Sequence, residues 1–417
     1  MTDIVATLLD IPNVKVLAVD LIGDEVHIHV ESTQSGTRCQ HCERPLRTPC
    51  GHGRERVLRH LPVFGRSTFI HLRPIRFACP DCRGNPTSTQ RVCWYDPRSP
   101  HTRAYDDYLL LQLRNSTVAD VELTEGVGYE AIMGVLERRI AKQVDWKRIK
   151  HLQVLGVDEI ALKKGHRDFV TIVTARSGDQ TLLLAVLENR EKATVKTFFA
   201  TIPKRLRKQL RAVCTDMYEG FINAAMEVFS RQVKIVVDRF HVAKLYRGAV
   251  DALRKAELKR LKKELPEAEY KRLKGAMWAL RRSLRNRTVE DVRLLRRLFK
   301  HSPLLETAYY ASGILTHIFD QARSKRSARY HIRRWIALVK GSGLRCFDRF
   351  LKTLDKWQEA ILNYFGDHDT SGFVEGLNNK IKVIKRRCYG IFNVGHLFQR
   401  IFLDFGNHHD LQENPVF

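Results

Sequence analysis

The spacing of apolar and polar residues divides the chain into regions with different predicted structure. Residues 1 to about 35 alternate apolar and polar positions, which predicts short strands. The next stretch, to about residue 95, is rich in Cys, Gly, Pro and Arg. From Arg103 to about Val144 the spacing becomes helical, with a short helix, a glycine-bearing turn and a helix that begins near Tyr129 and ends in basic residues. This order is compatible with a helix-turn-helix, but a plain linker bundle of three helices has the same pattern.

The central part of the chain alternates strand and helix patterns. Its apolar runs predict buried strands, in the order three strands, helix, strand, helix, strand. The strands are Val154–Leu162, Phe169–Thr174, Thr181–Leu187, one ending at Asp216 and one ending at Asp238, and the helices lie near Ala193–Phe199 and Gly220–Phe229. From about His241 to Asp367 almost every segment is predicted to be helical, and a final helix is predicted from near Ser371 to Lys385.

The charge of the chain indicates a class of partner. The 417 residues include 72 Lys and Arg against 46 Asp and Glu, a formal net charge of +26. Such an excess repels itself in a compact state unless a polyanion binds, so we expect nucleic acid as the partner, with an anionic membrane surface as the alternative. The sequence shows no apolar run of about 18 residues and no signal-peptide pattern, so we expect a soluble intracellular protein.

The cysteines are concentrated at one end of the chain. Six of nine lie before residue 94, which indicates a local metal site and not a set of disulfides. Two C-x-x-C pairs each place two thiolates on one tight turn, and together they supply the four soft ligands of tetrahedral Zn²⁺. A four-cysteine site leaves no open position for catalysis, so the predicted zinc ion is structural. Its predicted ligands are Cys39, Cys42, Cys79 and Cys82, with His41, Cys50, His52 and Cys93 as possible substitutes.

Two acidic residues each stand at the end of an apolar run that should be a buried strand. Asp158 follows Val154-Leu-Gly-Val, and Asp216 follows Ala212-Val-Cys-Thr. Carboxylates at the ends of neighbouring strands can converge on one point and bind hard cations. Glu375, on the final predicted helix, could supply a third carboxylate if that helix packs beside the same sheet edge. Two cations held about 3.5–4 Å apart by such acids can catalyse phosphodiester cleavage and strand transfer.

Four segments of the chain resemble, in order, the transposases of the bacterial insertion-sequence family ISL-three. They are Gly156-Val-Asp-Glu-Ile-Ala-Leu-Lys-Lys-Gly-His166, Cys214-Thr-Asp-Met-Tyr-Glu-Gly220, Val237-Asp-Arg-Phe-His-Val242 and Glu375-Gly-Leu-Asn-Asn-Lys-Ile-Lys-Val-Ile-Lys-Arg-Arg387. The cysteine pairs and the helices after them resemble the zinc-binding module and the helix-turn-helix of that family, so the resemblance covers nearly the whole chain. It implies that Asp158 and Asp216 are the first two metal-binding acids of a DDE site and that Glu375 is the third.

The resemblance also implies the layout of the chain. We expect a multidomain α/β protein with an N-terminal zinc-binding module, a helix-turn-helix, and an RNase H-like core interrupted by an all-α insertion. The predicted bounds are 1–98 for the zinc-binding module, 99–150 for the helix-turn-helix, 151–243 for the first part of the core, 244–366 for the insertion, and 367–417 for the final part of the core. The implied cofactors are two Mg²⁺ or Mn²⁺ ions and a structural Zn²⁺ ion, and the implied location is the bacterial cytoplasm, at the nucleoid.

Asp238 and His241 form an Asp-x-x-His pair just after the last core strand. The resemblance implies a role near the active site, where Asp238 could orient His241 or either side chain could contact DNA. A buried polar pair that supports the start of the insertion is the alternative. Neither residue is predicted as a metal ligand.

Basic residues are frequent in the helical part of the chain, where a run of charge usually forms a solvated face. The last run differs because it shares a predicted helix with Glu375. We predict that it contacts the DNA backbone, through Lys380, Lys382, Lys385, Arg386 and Arg387. Trp335 could stack on a flipped base, but a core position is favoured.

The predicted activity is metal-dependent cleavage of double-stranded DNA at the ends of an insertion sequence, followed by attack of the freed 3′-hydroxyl on target DNA. The N-terminal half would bind the terminal inverted repeats, and pairing of two ends implies a homo-oligomer. Two other interpretations stay open. One is a non-catalytic DNA-binding regulator with a zinc module and a helix-turn-helix, and the other is an RNA-processing nuclease on the same core.

Overall fold

The computed structural model describes residues 2–161, 169–177, 180–229, 233–282, 286–367, 372–387 and 393–405, with side chains except at residues 2, 3, 177, 180, 367, 372–375, 377 and 378. The chain forms two compact units. The first comprises Met1–Lys142, Arg387–Tyr389 and Gln399–Phe417, and the second comprises Gln143–Arg386 and Gly390–Phe398. Among the described residues, no helix combines the length and the apolar character that crossing a bilayer requires.

A four-stranded sheet opens the first unit, after a short helix that the strand pattern of the sequence did not predict. The elements are α1 (Thr2–Leu9), β1 (Val14–Ile22), β2 (Glu25–Ser32), β6 (Arg56–Val63) and β7 (Arg66–Leu72). The strand order is β1-β2-β7-β6, in which β2 and β7 are parallel and the other pairs are antiparallel. Because side chains alternate along a strand, Ile28, Leu58 and Ile70 form a buried apolar core on one face, and the histidines of β2 and β7 lie on the other.

Short strands surround the two cysteine pairs. They are β3 (Thr37–Arg38), β4 (Pro45–Leu46), β5 (Pro49–His52), β8 (Ile75–Ala78) and β9 (Thr87–Thr89). β3 pairs with β4, and a separate sheet has the order β5-β8-β9. Cys39 and Cys42 therefore lie on the β3–β4 turn, while Cys79 and Cys82 lie on the turn between β8 and β9.

Three helices complete the first unit, at the predicted positions. They are α2 (Arg103–Leu113), α3 (Val118–Glu125) and α4 (Tyr129–Arg139). A capping box of Thr117 and Asp120 starts α3, and Gly126 ends it with a φ of 64°, a left-handed conformation that favours glycine. The helices share an apolar core with Leu403, near the end of α18 (Val394–Phe405).

The second unit contains a five-stranded sheet in which every predicted core strand is present. Its strands are β10 (Val154–Ala161), β11 (Phe169–Ser177), β12 (Gln180–Leu187), β13 (Ala212–Thr215) and β14 (Lys234–Val237). The order is β12-β11-β10-β13-β14. β11 is antiparallel to both of its neighbours, β10 and β12. β13 and β14 run parallel to β10, because a helical crossover precedes each of them.

Helices cover both faces of this sheet. On one face, α5 (Lys192–Thr201), α6 (Lys204–Arg207) and α7 (Glu219–Val228) pack through Phe199 and Phe221 against Leu155 and Val213. On the other face, Val154 and Val236 join the core of the long helical segment.

The described part of the chain between β14 and residue 387 is helical, as predicted. Its helices are α8 (Arg239–Glu264), α9 (Glu267–Lys271), α10 (Ala276–Arg281), α11 (Val289–His301), α12 (Pro303–Gln321), α13 (Lys325–Gly341), α14 (Asp348–Lys356), α15 (Gln358–Leu362), α16 (Tyr364–Asp367) and α17 (Gly372–Arg387). Trp335 lies in the core of this segment, 2% exposed, and its Nε1 donates to the carbonyl of Ala311 at 2.7 Å. The core position of Trp335 is therefore confirmed, and its ring is not available to a base.

Candidate active site and zinc centre

The register of two parallel strands brings Asp158 and Asp216 together. Val157 of β10 pairs with Thr215 of β13. Asp158 is the next residue of β10, which continues to Ala161, and Asp216 directly follows β13. Neighbouring strands are about 4.8 Å apart, so the two backbones present their carboxylates side by side. Backbone amides hold both groups: the N–H of Glu159 donates to Asp158 Oδ1 at 2.7 Å, and the N–H of Tyr218 donates to Asp216 Oδ1 at 3.0 Å.

Both aspartates are unusually hard to ionise. Burial raises the pKa of Asp158, and it raises the pKa of Asp216 from 3.8 to about 6. The neighbouring carboxylate of Asp158 raises the pKa of Asp216 further, because two negative charges at this spacing repel. A cation bound between two carboxylates removes this repulsion, and carboxylate oxygens are ligands that hard divalent ions prefer.

Asp238 and His241 lie at the same edge of the sheet. The amide of Asp238 donates to the carbonyl of Thr215 at 3.0 Å, which places Asp238 beside Asp216. Its carboxylate caps α8 by accepting from the N–H of Phe240 at 2.8 Å. His241, in the first turn of α8, is close enough to the acids to lower the pKa values of both Asp158 and Asp216.

Two further charged residues join this edge, and our sequence analysis missed them. Glu159 accepts a hydrogen bond from Arg190 at 2.9 Å. The guanidinium of Arg190 lies 4.9 Å from the ring centroid of Phe169 and 5.2 Å from that of Tyr218, so two aromatic faces hold it in place. Glu159 has a weak sequence signal, since it adjoins Asp158. Arg190 has none, because it lies in a loop far from every motif.

The third predicted acid is on α17, but the side chain of Glu375 lies outside the described residues. Its helix contacts the sheet further along, where Lys385 Nζ donates to the carbonyl of Ala161 at the end of β10. Burial lowers the pKa of Lys385. Of the basic residues on α17, Lys382, Arg386 and Arg387 are exposed, and Arg387 also donates to the carbonyl of Asn115 at 2.7 Å.

The four predicted cysteines meet in the first unit. Cys39 Sγ lies 3.9 Å from Cys82 Sγ, Cys42 Sγ lies 3.7 Å from Cys79 Sγ, and all four sulfurs lie within 4.8 Å of one another. Such distances match the edges of a tetrahedron of thiolates around Zn²⁺, which are about 3.8 Å for Zn–S bonds of about 2.3 Å. Among the described residues, the possible substitutes His41, Cys50, His52 and Cys93 do not belong to this cluster.

Local hydrogen bonds prepare one of these sulfurs for metal binding. Backbone N–H groups of Cys42 and His41 point at Cys39 Sγ and lower its pKa from 9.0 to about 6. By contrast, hydrogen bonds from neighbouring thiols raise the pKa of Cys82 to about 12. The cluster cannot hold four thiolates by itself, and a divalent cation at its centre removes that repulsion.

The basic end of α4 does not face outward. Arg138 donates to both carboxylate oxygens of Asp106, which is fully buried, and Arg139 pairs with Asp107. These arginines bind α4 to α2. The exposed residues of α4 are instead Tyr129, Glu130 and Glu137.

Comparisons with known proteins show the family to which the chain belongs. Residues 155–401 match the model of the ISL3 family of DDE transposases, and residues 35–82 match that of the zinc-finger of transposase IS204/IS1001/IS1096/IS1165, which includes all four clustered cysteines. The chain is 29% identical over 387 residues to the transposase for insertion sequence element IS1001 of Bordetella parapertussis, covering 91% of each protein. It is 24% identical over 364 residues to the transposase for insertion sequence element IS1557 of Mycobacterium tuberculosis, covering 82% of this chain and 79% of that protein.

Proposed function

The chain belongs to the ISL3 family of transposases, and on that premise we propose that Asp158, Asp216 and Glu375 are its catalytic acids. They would hold two Mg²⁺ or Mn²⁺ ions. The enzyme would cut double-stranded DNA at the terminal inverted repeats of an insertion sequence and join the freed 3′ ends to target DNA. The observation that carries the proposal is the parallel register of β10 and β13, which sets Asp158 beside Asp216.

The topology of the second unit supports an RNase H-like core. Three antiparallel strands followed by two parallel ones, in the order β12-β11-β10-β13-β14, give a mixed sheet with helices on both faces. In such a sheet, ligands bind in the crevice outside the carboxyl ends of parallel strands. Asp216 directly follows β13, and Asp158 lies level with it on β10, which continues to Ala161.

The proposed phosphoryl transfer depends more on groups that stabilise charge than on any side chain that reacts covalently. When bound, a pair of divalent ions activates an attacking oxygen and stabilises a leaving one during in-line displacement at phosphorus. Asp158 and Asp216 supply oxygen ligands whose raised pKa values favour cation binding over an empty site. His241 lies near both acids and would contact the DNA backbone beside the reacting phosphate or orient its neighbours.

Glu375 completes the proposed set from the helix that follows the insertion. The hydrogen bond between Lys385 and Ala161 supports this, because it fixes α17 against the strand that bears Asp158. Glu375 precedes Lys385 by ten residues, about 15 Å along a helix, and Asp158 precedes Ala161 by three, about 10 Å along a strand. The two lengths differ by about 5 Å, and a helix that lies alongside β10 in the same direction would bring Glu375 towards Asp158.

DNA recognition would fall to the first unit and to α17. We assign end recognition to the zinc ribbon and to α2–α4 as a helix-turn-helix. The three-residue turn between α3 and α4 supports that assignment. Since Arg138 and Arg139 bind to α2, base contacts would come from the start of α4, around Tyr129. Backbone contacts would come from Lys380, Lys382, Lys385, Arg386 and Arg387, of which Lys382, Arg386 and Arg387 are exposed.

We further propose the domain bounds 1–98, 99–150, 151–243, 244–366 and 367–417 for the zinc-binding module, the helix-turn-helix, the first part of the core, the insertion and the final part of the core. Pairing of two element ends before joining requires at least two catalytic chains, so the active assembly would be a homo-oligomer.

The deciding experiment compares Asp158→Asn with the wild-type protein on labelled element ends in Mg²⁺. We expect Asp158→Asn to bind the ends with unchanged affinity and to lose cleavage by about 10²–10³-fold, as removal of a group that stabilises transition-state charge does. Asp355→Asn is the matched control, because Asp355 is an exposed aspartate on α14. It should cleave as the wild type does.

The same experiment distinguishes the proposed transposase from a DNA-binding regulator and from an RNA-processing nuclease. Cleavage retained by Asp158→Asn contradicts the proposed site. Binding of DNA without metal-dependent nicking by the wild type would identify a regulator, and cleavage of RNA or hybrids without end specificity would identify a nuclease. Parallel tests of Asp216→Asn and Glu375→Gln assign the remaining acids, and normal cleavage by Glu375→Gln would remove that residue from the set.

A further inference from the structure

A second group of metal-ligating side chains lies in the first unit, on the sheet face opposite the apolar core. His29 of β2 and His71 of β7 are paired across parallel strands, and their rings stack with centroids 4.4 Å apart. Glu55, just before β6, places Oε1 3.4 Å from His71 Nδ1. One ligand atom from each of these three residues lies within 4.8 Å of the other two.

Three polar contacts connect His71 to its neighbours, and one of them has no proton to form a hydrogen bond. Glu25 Oε2 lies 3.3 Å from His27 Nε2, His27 Nδ1 lies 2.8 Å from His71 Nε2, and His71 Nδ1 lies 3.4 Å from Glu55 Oε1. These are three links, but two neutral imidazoles carry only two N–H protons. If the first two links are hydrogen bonds, the lone pair of His71 Nδ1 faces a carboxylate oxygen. That contact is repulsive unless a cation occupies it.

A proton on His71 would fill this contact alone and would not engage the stacked ring of His29. A metal ion between His71 Nδ1 and Glu55 would remove the same repulsion and would also be bound by the nearby ring of His29. The other nitrogen of each ligand ring is already held, since His29 Nε2 lies 3.3 Å from Asp20 Oδ2 and His71 Nε2 lies next to His27. Imidazole ligands typically have such an outer partner, which fixes the ring and its tautomer.

We propose that His29, Glu55 and His71 bind a second divalent transition-metal ion, of the class of Zn²⁺, separate from the four-cysteine site. Two imidazoles and one carboxylate are an established ligand set for Zn²⁺, with a fourth position open to water. The His71–Glu55 separation of 3.4 Å equals the ligand spacing of a tetrahedron with bonds of about 2.1 Å. This site does not depend on the proposed catalytic acids.

Metal content of the purified full-length chain tests the proposal. The protein is stripped, reloaded with Zn²⁺, passed through a desalting column and analysed by mass spectrometry for zinc per chain. We expect two zinc ions in the wild type and one in Glu55→Gln and in His29→Gln. Glu31→Gln is the matched control, because Glu31 is an exposed acid on β2 outside the cluster, and it should retain two. His27→Gln removes the outer partner of His71 and should weaken the second ion about 10–100-fold.

Cobalt loading distinguishes a lost site from a misfolded module. Thiolate-to-cobalt absorption reports the four-cysteine site, and it should be equal in the wild type and in all four variants. A wild type with one zinc ion per chain would overturn the proposal. So would Glu55→Gln and His29→Gln proteins that retain two ions while their thiolate absorption is intact.

Discussion

Replacing Asp216 by asparagine should stabilise the metal-free protein while it destroys activity. Burial raises the pKa of Asp216 from 3.8 to about 6. At about 1.4 kcal/mol per pH unit, an ionised carboxylate at this position costs about 3 kcal/mol at neutral pH, and solvent access to the half-buried group makes this an upper value. Asparagine keeps the side-chain oxygen that accepts from the N–H of Tyr218 and removes the charge.

The pH dependence gives the sign of the effect. Folded protein binds the Asp216 proton more tightly than the unfolded chain, so between about pH 4 and pH 6 the folded state carries more protons and its stability falls as the pH rises. Asp216→Asn lacks this loss. Its advantage should be near zero at pH 4 and greatest above pH 6.

Thermal unfolding in EDTA measures the difference. At roughly 2–4 °C per kcal/mol for domains of 150–250 residues, the variant should unfold up to about 6–12 °C higher at pH 7.5. Mg²⁺ should reduce this difference in Tm. An ion that binds only the folded wild type, present at about 100 times its Kd, raises the free energy of unfolding of the wild type by about 2.7 kcal/mol. Asp355→Asn, on an exposed site, should match the wild type throughout. Equal Tm values for wild type and Asp216→Asn at pH 7.5 in EDTA would refute the reasoning.

Three further changes test other parts of the molecule. Cys42→Ser removes an exposed ligand of the four-cysteine cluster and should abolish thiolate-to-cobalt absorption, whereas Cys50→Ser should not. Intact absorption in Cys42→Ser would contradict the ligand assignment. Alanine at both Lys382 and Arg386 should lower the slope of log K against log salt for duplex DNA by about 1.8, and an unchanged slope would show that these side chains do not neutralise phosphates. Arg138→Ala leaves Asp106 without its arginine partner and should destabilise the first unit in urea unfolding. We expect a loss of about 3 kcal/mol, at the low end for a broken buried ion pair, because His101 remains as a partner of Asp106. A loss below about 1 kcal/mol would contradict the buried ion pair.

The paired acids could be predicted because their signal is local. Asp158 and Asp216 each follow an apolar run, and short buried runs predict strands wherever they occur. The two cysteine pairs have the same property, since each C-x-x-C turn is formed within four residues. What the sequence does not contain is the relative position of the two turns, which depends on the pairing of β5, β8 and β9.

Contacts that depend on long-range pairing could not be predicted. His29 faces His71 only because β2 and β7 are parallel neighbours, and nothing in either segment indicates that pairing. Arg190 reaches Glu159 from a loop, through a hydrogen bond that spans 31 residues. The basic residues that end α4 are visible in the sequence, but their ion pairs with Asp106 and Asp107 are not, because those pairs depend on how α4 packs against α2.

The helical segment after β14 is attached to the five-stranded sheet at two points. Asp238 caps α8, and its amide donates to the carbonyl of Thr215 on β13, so the first helix starts directly beyond β14. Further along the chain, Asn363 Nδ2 donates to the carbonyl of Ile235 on β14 at 2.9 Å. β14 is an edge strand of the sheet, and such carbonyls otherwise offer a template for pairing with another chain. The contact with Asn363 therefore occupies a hydrogen-bonding group that this edge strand would otherwise expose.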